Sequence, residues 1–309
     1  MEFLIKVDET TYDISELVTD ISYKDVLNNG CSKLEFKYIN DDLVIKNGSI
    51  VSFKYNNANI FYGFVFRVSR NKGKEISVTA YDQLRYCKAK DTIVVKDDSI
   101  TTLTTRMCNQ LRLKKGSITD TKYVLPKTRV HEDKTWLDII YTTISDTLVD
   151  TGKKYCLRDE FGSIAIRYLE ELQLNLILGD ESLAYDFGYE KSIDDGFYNQ
   201  VKIRIKDTYN FHVKNDVNSV SKFGTLQYFE VMDSKTNASQ ANEKAEKLLS
   251  FYNKEQETLR LECLGDTSIC AGASFYGLIS DIELNKRLIV KEVTHKFLPN
   301  HTMSLEVMV

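Results

Sequence analysis

The segment Arg287-Leu-Ile-Val-Lys-Glu-Val-Thr-His-Lys-Phe297, followed across Leu298-Pro-Asn-His301 by Thr302-Met-Ser-Leu-Glu-Val-Met-Val309, decides how the chain is read. Both runs are short and rich in β-branched and apolar residues. The residues between them carry turn chemistry, with Pro299 fixing φ and Asn300 tolerating left-handed backbone. The pattern predicts a β-hairpin. In its second run Met303, Leu305, Val307 and Val309 share one face while Thr302, Ser304 and Glu306 share the other, because strand side chains alternate. A terminal strand must be held by sheet partners or by a neighbouring subunit. Residues 259–264 and 274–279 supply strands of the right character for that role.

Working outward, residues 3–7, 18–23, 33–38, 50–55, 60–68 and 75–80 form a series of short strands broken by polar turns, the pattern of a small antiparallel barrel or sandwich. Asn28-Asn-Gly30, Lys46-Asn-Gly-Ser49, Asn56-Asn57 and Asn71-Lys-Gly73 punctuate them. Gly48 and Gly63 read as backbone positions, not as chemistry. Phe61-Tyr-Gly-Phe-Val-Phe66 is unusually aromatic for an alternating strand. Phe61 and Phe64 are therefore either core on both faces or part of a subunit contact, and the core reading is favoured.

A second region opens near Lys96. Ser99 caps a predicted helix whose Ile100, Leu103, Met107 and Leu111 recur at helical spacing. Another helix is expected over 135–149, ending at Gly152, and a hairpin over 155–167. Trp136 is the single tryptophan; among Ile139 and Ile140 it reads as core in preference to a ligand-stacking residue. From Ala184 a third region runs through a strand with Val201, Ile203 and Ile205 on one face, entered at Asn199. Residues 208–224 read as a loop, and 238–253 as a helix capped by Asn237 or Ser239.

At 309 residues the chain exceeds the usual size of one core, so two or three domains are expected. With 42% hydrophobic and 28% charged residues it has an ordinary soluble composition. A formal charge of -4 gives no basic surplus for phosphate, so nucleic acid is not expected as a partner. No run approaches the ~20 apolar residues of a membrane span, and the opening apolar run is too short for a signal peptide; synthesis in the cytoplasm and no stable membrane insertion are expected. The six scattered cysteines are read as reduced. The 18 tyrosines and 15 phenylalanines against two prolines suit a strand-rich protein with large interfaces.

No phosphate loop, dinucleotide fingerprint, zinc-protease or serine-hydrolase motif is present. The pairs Asp41-Asp42, Asp97-Asp98 and Asp194-Asp195 flank turns, where aspartate binds its own backbone. His295 is the best single candidate for chemistry, yet no nucleophile accompanies it, so a neutral, hydrogen-bonded core histidine is the better reading. His301 reads as a turn residue. No catalytic residue, cofactor site or metal site is assigned.

Residues 13–18, 34–36, 45–51, 61–65 and 80–82, then Asn199-x-Val-x-Ile, Gly265-Asp266, Ala271-Gly272-Ala273, Val293-Thr-His295 and Thr302-Met-Ser-Leu-Glu306, stand in an order that resembles the baseplate hub family of contractile phage tails, the XkdQ/YqbQ-like proteins with the T-even-type hub fold. The resemblance implies a β-rich α+β chain. It would carry two small antiparallel β-barrels, over 1–95 and 191–309 with one helix in the latter, and an intervening α/β insertion domain over 96–190. It also implies a non-enzymatic structural role in a phage, prophage or R-type bacteriocin tail. There a homotrimeric ring would join the six-fold tail tube protein to the three-fold spike protein, beside a LysM-type tail protein and baseplate wedge proteins. Gly48, Phe61, Gly63, Phe64, Trp136, Asn199, Gly272, His295, Met303 and Leu305 are the structural or interface candidates. A tail-associated peptidoglycan hydrolase or carbohydrate-binding domain is the competing expectation.

Overall fold

The computed structural model describes residues 1–309 except 40, 41, 127, 180, 181, 195 and 309. The chain is β-rich with few helices, as expected for its class. The predicted hairpin forms from Leu284–Lys296 and Thr302–Met308, with Lys296 opposite Thr302 and His295 opposite Met303. Its first strand has partners on both edges. Thr302–Met308 takes one edge; on the other, Ser274–Ile279 pairs with the first half and Val18–Val26 with the second, setting Glu292 opposite Val26 and His295 opposite Tyr23. The register shifts between Val290 and Glu292. That extra residue changes the parity of the strand, so Leu288 and Val290 before it and Val293 and His295 after it all point inward.

One thirteen-stranded sheet results among the described residues. From Val18–Val26 it runs through Lys33–Ile39, Glu75–Tyr81, Ala58–Arg70, Ile50–Tyr55 and Glu2–Val7 to Thr10–Asp13. From Leu284–Lys296 it runs through Thr302–Met308 and Gln256–Leu264 to Ala184–Ser192, while Ser274–Ile279 branches from the same strand and carries Gln173–Gly179 on its outer edge. The N-terminal strands and the strands from Gln256 onward thus share one sheet.

The N-terminal strands enclose a core of Phe3, Phe36, Phe53, Phe61, Val65 and their neighbours. Phe297, from the far end of the chain, lies in that core, its ring 4.8 Å from Phe53 and 5.0 Å from Tyr55. Gly63 stands at a close backbone approach in the sheet: a Cβ there would lie 2.3 Å from the Tyr81 carbonyl oxygen, and no rotamer change relieves a clash with backbone.

A second core gathers helix α1 (Ile100–Leu111), helix α2 (Trp136–Thr151) and the hairpin Tyr155–Asp159/Ile164–Tyr168. Ser99 and Thr102 form the capping box of α1, and Arg112 ends it in the left-handed region. Trp136 is fully buried at the start of α2, with the Arg106 guanidinium 5.8 Å from its ring.

Contacts divide the chain into two compact units. One comprises Met1–Leu148, Lys153–Gly188 and Leu259–Val309; the other comprises Val149–Gly152 and Tyr189–Thr258. Within the second, Gln200–Ile205 is the centre of a three-stranded sheet between Phe211–Asn215 and Gln227–Met232. Val201, Ile203 and Ile205 pack against Ala241, Ala245 and Leu248 of helix α4 (Ala238–Tyr252), whose N-cap is Asn237. The stretch 208–224, expected to be a loop, instead holds the strand Phe211–Asn215 and helix α3 (Val217–Phe223), which Asp216 caps. Its polar residues mislead because His212 and Lys214 take the α4 side, where Lys214 reaches Glu246 at 2.6 Å.

Because Phe297 is fully enclosed, Phe297→Ala is expected to lower unfolding stability by roughly 3–5 kcal/mol. Denaturant titration followed by both far-UV circular dichroism and tyrosine fluorescence checks this, and the two signals should shift together.

Candidate functional site

The aromatic strand Ala58–Arg70 presents two different faces. Phe61 and Val65 point into the core, whereas Tyr62, Phe64 and Phe66 are half-buried on the opposite face. There Phe64 lies 5.5 Å from the Tyr86 ring, Phe66 lies 5.6 Å from both Tyr81 and Tyr86, and Arg85 sits 5.3 Å over Phe66. The core reading describes Phe61, and Phe64 belongs to an outward aromatic cluster that continues through Tyr62 to Phe161.

Gly48 has φ +88° and donates its N–H to the Val65 carbonyl at 2.8 Å. Gly272, at φ +86°, donates to the Val290 carbonyl at 2.8 Å. Met303 and Leu305 are buried on the inward face of their strand. Asn199 is fully buried in the second unit: its amide Nδ2 donates to the Gly224 carbonyl and its Oδ1 accepts from Leu226 N–H, each at 2.8 Å. Its side chain thus completes the turn that returns the chain to Gln227–Met232. Trp136 keeps its indole N–H away from water with no acceptor among the described residues.

His295 is buried and its two ring nitrogens have distinct partners. Nε2 lies 2.9 Å from the Ile269 carbonyl oxygen, which can only accept, so Nε2 carries the proton. Nδ1, then unprotonated in the neutral ring, accepts from His301 Nε2 at 3.1 Å. His301 is therefore more than a turn residue. Its ring stacks 4.5 Å from Phe297 and packs on Gly265, where a Cβ would come within 2.2 Å of the imidazole. Gly265 N–H also donates to the His301 carbonyl at 2.9 Å. The glycine of the Gly265-Asp266 turn was the sequence signal for this packing.

A second buried polar cluster was missed because its members are far apart in sequence. Asp25 accepts Ser32 Oγ–H at 2.8 Å, Val26 N–H at 3.1 Å and Ala271 N–H at 2.9 Å. Asp82 accepts the N–H groups of Ser32 and Leu84, each at 2.9 Å, and Asp159 accepts from Gln83. Burial pushes the Asp82 carboxyl well above the usual range, helped by Asp159 nearby, and burial raises Asp159 as well. Arg158, buried beside them, donates to Cys270 Sγ at 3.1 Å. Asp82 is 2% exposed and both its oxygens are occupied by main-chain donors, so no substrate oxygen reaches it. The cluster joins the Val18–Val26 strand, the Tyr155–Asp159 hairpin and the Ala271 turn, and so organises the fold.

Among the acid pairs, Asp98 has the backbone-binding role expected of a turn aspartate. Asp98 accepts from Lys96 N–H and Thr102 Oγ1–H beside the α1 cap. Asp41 and Asp195, like Val309, lie outside the described residues. Among the described residues no group of three or more His, Cys, Asp or Glu is placed to hold a metal ion. All six cysteines are free thiols.

Burial lowers the proton affinity of His295, and burial with the neighbouring His295 brings His301 down to about 4. A base whose folded pKa lies below its unfolded value makes its full contribution to stability above the unfolded value near 6.5, and loses it as pH falls towards 4. Asp82 and Asp159, raised, push the opposite way over part of that window. The difference between proteins isolates the imidazoles: His301→Gln should lose less stability than the wild type between pH 6.5 and 4, measured by urea midpoint at each pH.

Comparison with known proteins places this architecture. "Uncharacterized protein YqbQ" and "Phage-like element PBSX protein XkdQ", both of Bacillus subtilis, are each 26% identical over 268 residues, covering 85% of this chain and 82% of their own length. The 43 kDa tail protein of prophage MuSo2 from Shewanella oneidensis shares the fold over 100% of this chain and 98% of its own, with a TM-score of 0.74 at 11% identity. The c3393 protein of E. coli, described as a type VI secretion component with structural similarity to T4 tail proteins gp27 and gp5, matches 94% of this chain and 73% of its own at a TM-score of 0.58 and 8% identity. The YQBQ-like family model matches residues 21–308, so the chain belongs to the YQBQ-like family, the phage tail family that its sequence resembles.

Proposed function

We propose that this protein is the hub of a phage-type contractile tail baseplate. Three copies would form a ring joining the six-fold tail tube to the three-fold spike, in contact with a LysM-type tail protein and baseplate wedge proteins. The observation that carries the reading is the division of the large sheet at one strand pair. Seven strands lie on the Val18–Val26 side and six on the Leu284–Lys296 side. Each half curls in this reading as a small barrel. Two like halves per chain give six like faces from three chains, which is what a three-fold assembly needs to meet a six-fold tube.

The family, its phage-like relative in Bacillus subtilis and the tail-protein fold support the same assignment. Nine of the ten structural candidates serve in it as scaffold: Phe61, Met303 and Leu305 fill the sheet's interior, Gly48, Gly63 and Gly272 shape its turns and close approaches, and Trp136, Asn199 and His295 are buried supports; Phe64, the tenth, lies on the face available to a neighbour. Assembly would take place in the bacterial cytoplasm, and the protein would then reside in the particle's baseplate.

Reconstitution with a tail tube protein and a spike protein from the same genome tests the proposal. The expected product is a complex holding this chain and the spike in equal numbers, with a six-fold tube ring attached, seen by mass photometry and electron microscopy. A chain that binds neither, or that clears a peptidoglycan suspension through one essential carboxylate, would overturn it.

A further inference from the structure

The three-stranded sheet of the second unit has one face packed on α4 and one that faces outward. Strand alternation and register place Phe211, Val213, Phe229 and Val231 on the outer face, 47%, 46%, 49% and 42% exposed. On the central strand between them stand Lys202, flanked by Val213 and Phe229, and Arg204, flanked by Phe211 and Val231. Gln200, Asn215 and Gln227 complete the face, and none of its residues is a carboxylate. Four large apolar side chains around two cations are a costly arrangement to leave in water, since solvent-facing strands ordinarily carry polar residues.

The two cations are unequally placed. Lys202 Nζ lies 4.3 Å over the Phe211 ring. Arg204 holds its Nε–H away from water with no acceptor among the described residues. A desolvated guanidinium donor without an acceptor is unfavourable until a carboxylate meets it.

We infer that this face is a contact between copies of the chain, receiving an acidic, partly apolar surface of the neighbouring copy. The inference rests on the trimeric reading above and names one of its surfaces. Charge decides the geometry. Two such faces pressed together would oppose Lys202 and Arg204 to themselves, so a self-complementary dimer is disfavoured. The chain as a whole has 45 acidic against 41 basic residues, so acid is in surplus away from this face. A cationic face meeting a different, acidic face is a heterologous contact, the kind that closes into rings. Three strands about 4.8 Å apart and about 17 Å long give a face on the order of 250 Å². That is about a third of the ~800 Å² per partner in a specific interface, so the face is an apolar centre within a larger contact.

Sedimentation velocity on the full chain, over concentrations up to about 1 mM, tests the inference. The wild type should form trimers, less readily as salt rises. Phe229→Asp and the double variant Lys202→Glu/Arg204→Glu should each weaken association at least ~10-fold while melting within a few degrees of the wild type. The double variant leaves the apolar residues intact, so it remains informative if Phe229→Asp is poorly folded. Trimers formed equally well by the charge-reversed chain would overturn the face while leaving the trimeric reading standing. A two-fold dimer through this face, or a wild type that stays monomeric throughout, would overturn the self-contact; the hub assignment would then stand or fall on reconstitution with tube and spike.

Discussion

The pairing of Leu284–Lys296 with Val18–Val26 is the constraint on which the large sheet depends. Remove it and the N-terminal and C-terminal strands become two open sheets, each with an unpaired edge. The pairing works because the register shift at Val290/Glu292 lets one long strand keep its apolar side chains inward along its whole length while serving different partners in its two halves. Phe297 then carries the same strand's end into the N-terminal core.

The buried polar groups fix that pairing's register. A slip by one residue would turn Asp25 and His295 to the other face, leaving their partners on Ser32, Ala271 and Ile269 unpaired in the interior. Apolar side chains tolerate approximate placement; a carboxylate receiving three N–H or O–H donors does not. These buried polar groups specify how distant segments meet. The long separation of those segments, with Asp25 binding a residue 246 positions away, also predicts slow folding, because loop closure precedes the contacts that reward it.

What was legible in the sequence was local. The closing hairpin, the N-terminal strands, the Ser99 and Asn237 caps and the buried stripe of α4 were all announced by short-range periodicity and capping residues. The sharing of one sheet by both ends was not, because alternation identifies a strand without naming its partner. Phe211–Asn215 escaped for a different reason: its polar His212 and Lys214 face the helix side and its apolar residues face outward, the reverse of the usual pattern. His301 was hidden by its place in a turn, and Asp25 by its place in an otherwise ordinary strand. The hub resemblance lay in the order of weak motifs along the chain, and the family match over residues 21–308 bears it out.

Native-state hydrogen exchange of the full chain measures most directly whether both ends of the chain fold as one. If the pairing unites them, slowly exchanging amides of Val18–Val26 and of the second half of Leu284–Lys296 should open with the same free energy and the same denaturant dependence, as one cooperative unit. Opening of the two strands in separate events differing by more than ~2 kcal/mol would show two independent domains that merely touch, and would contradict the account.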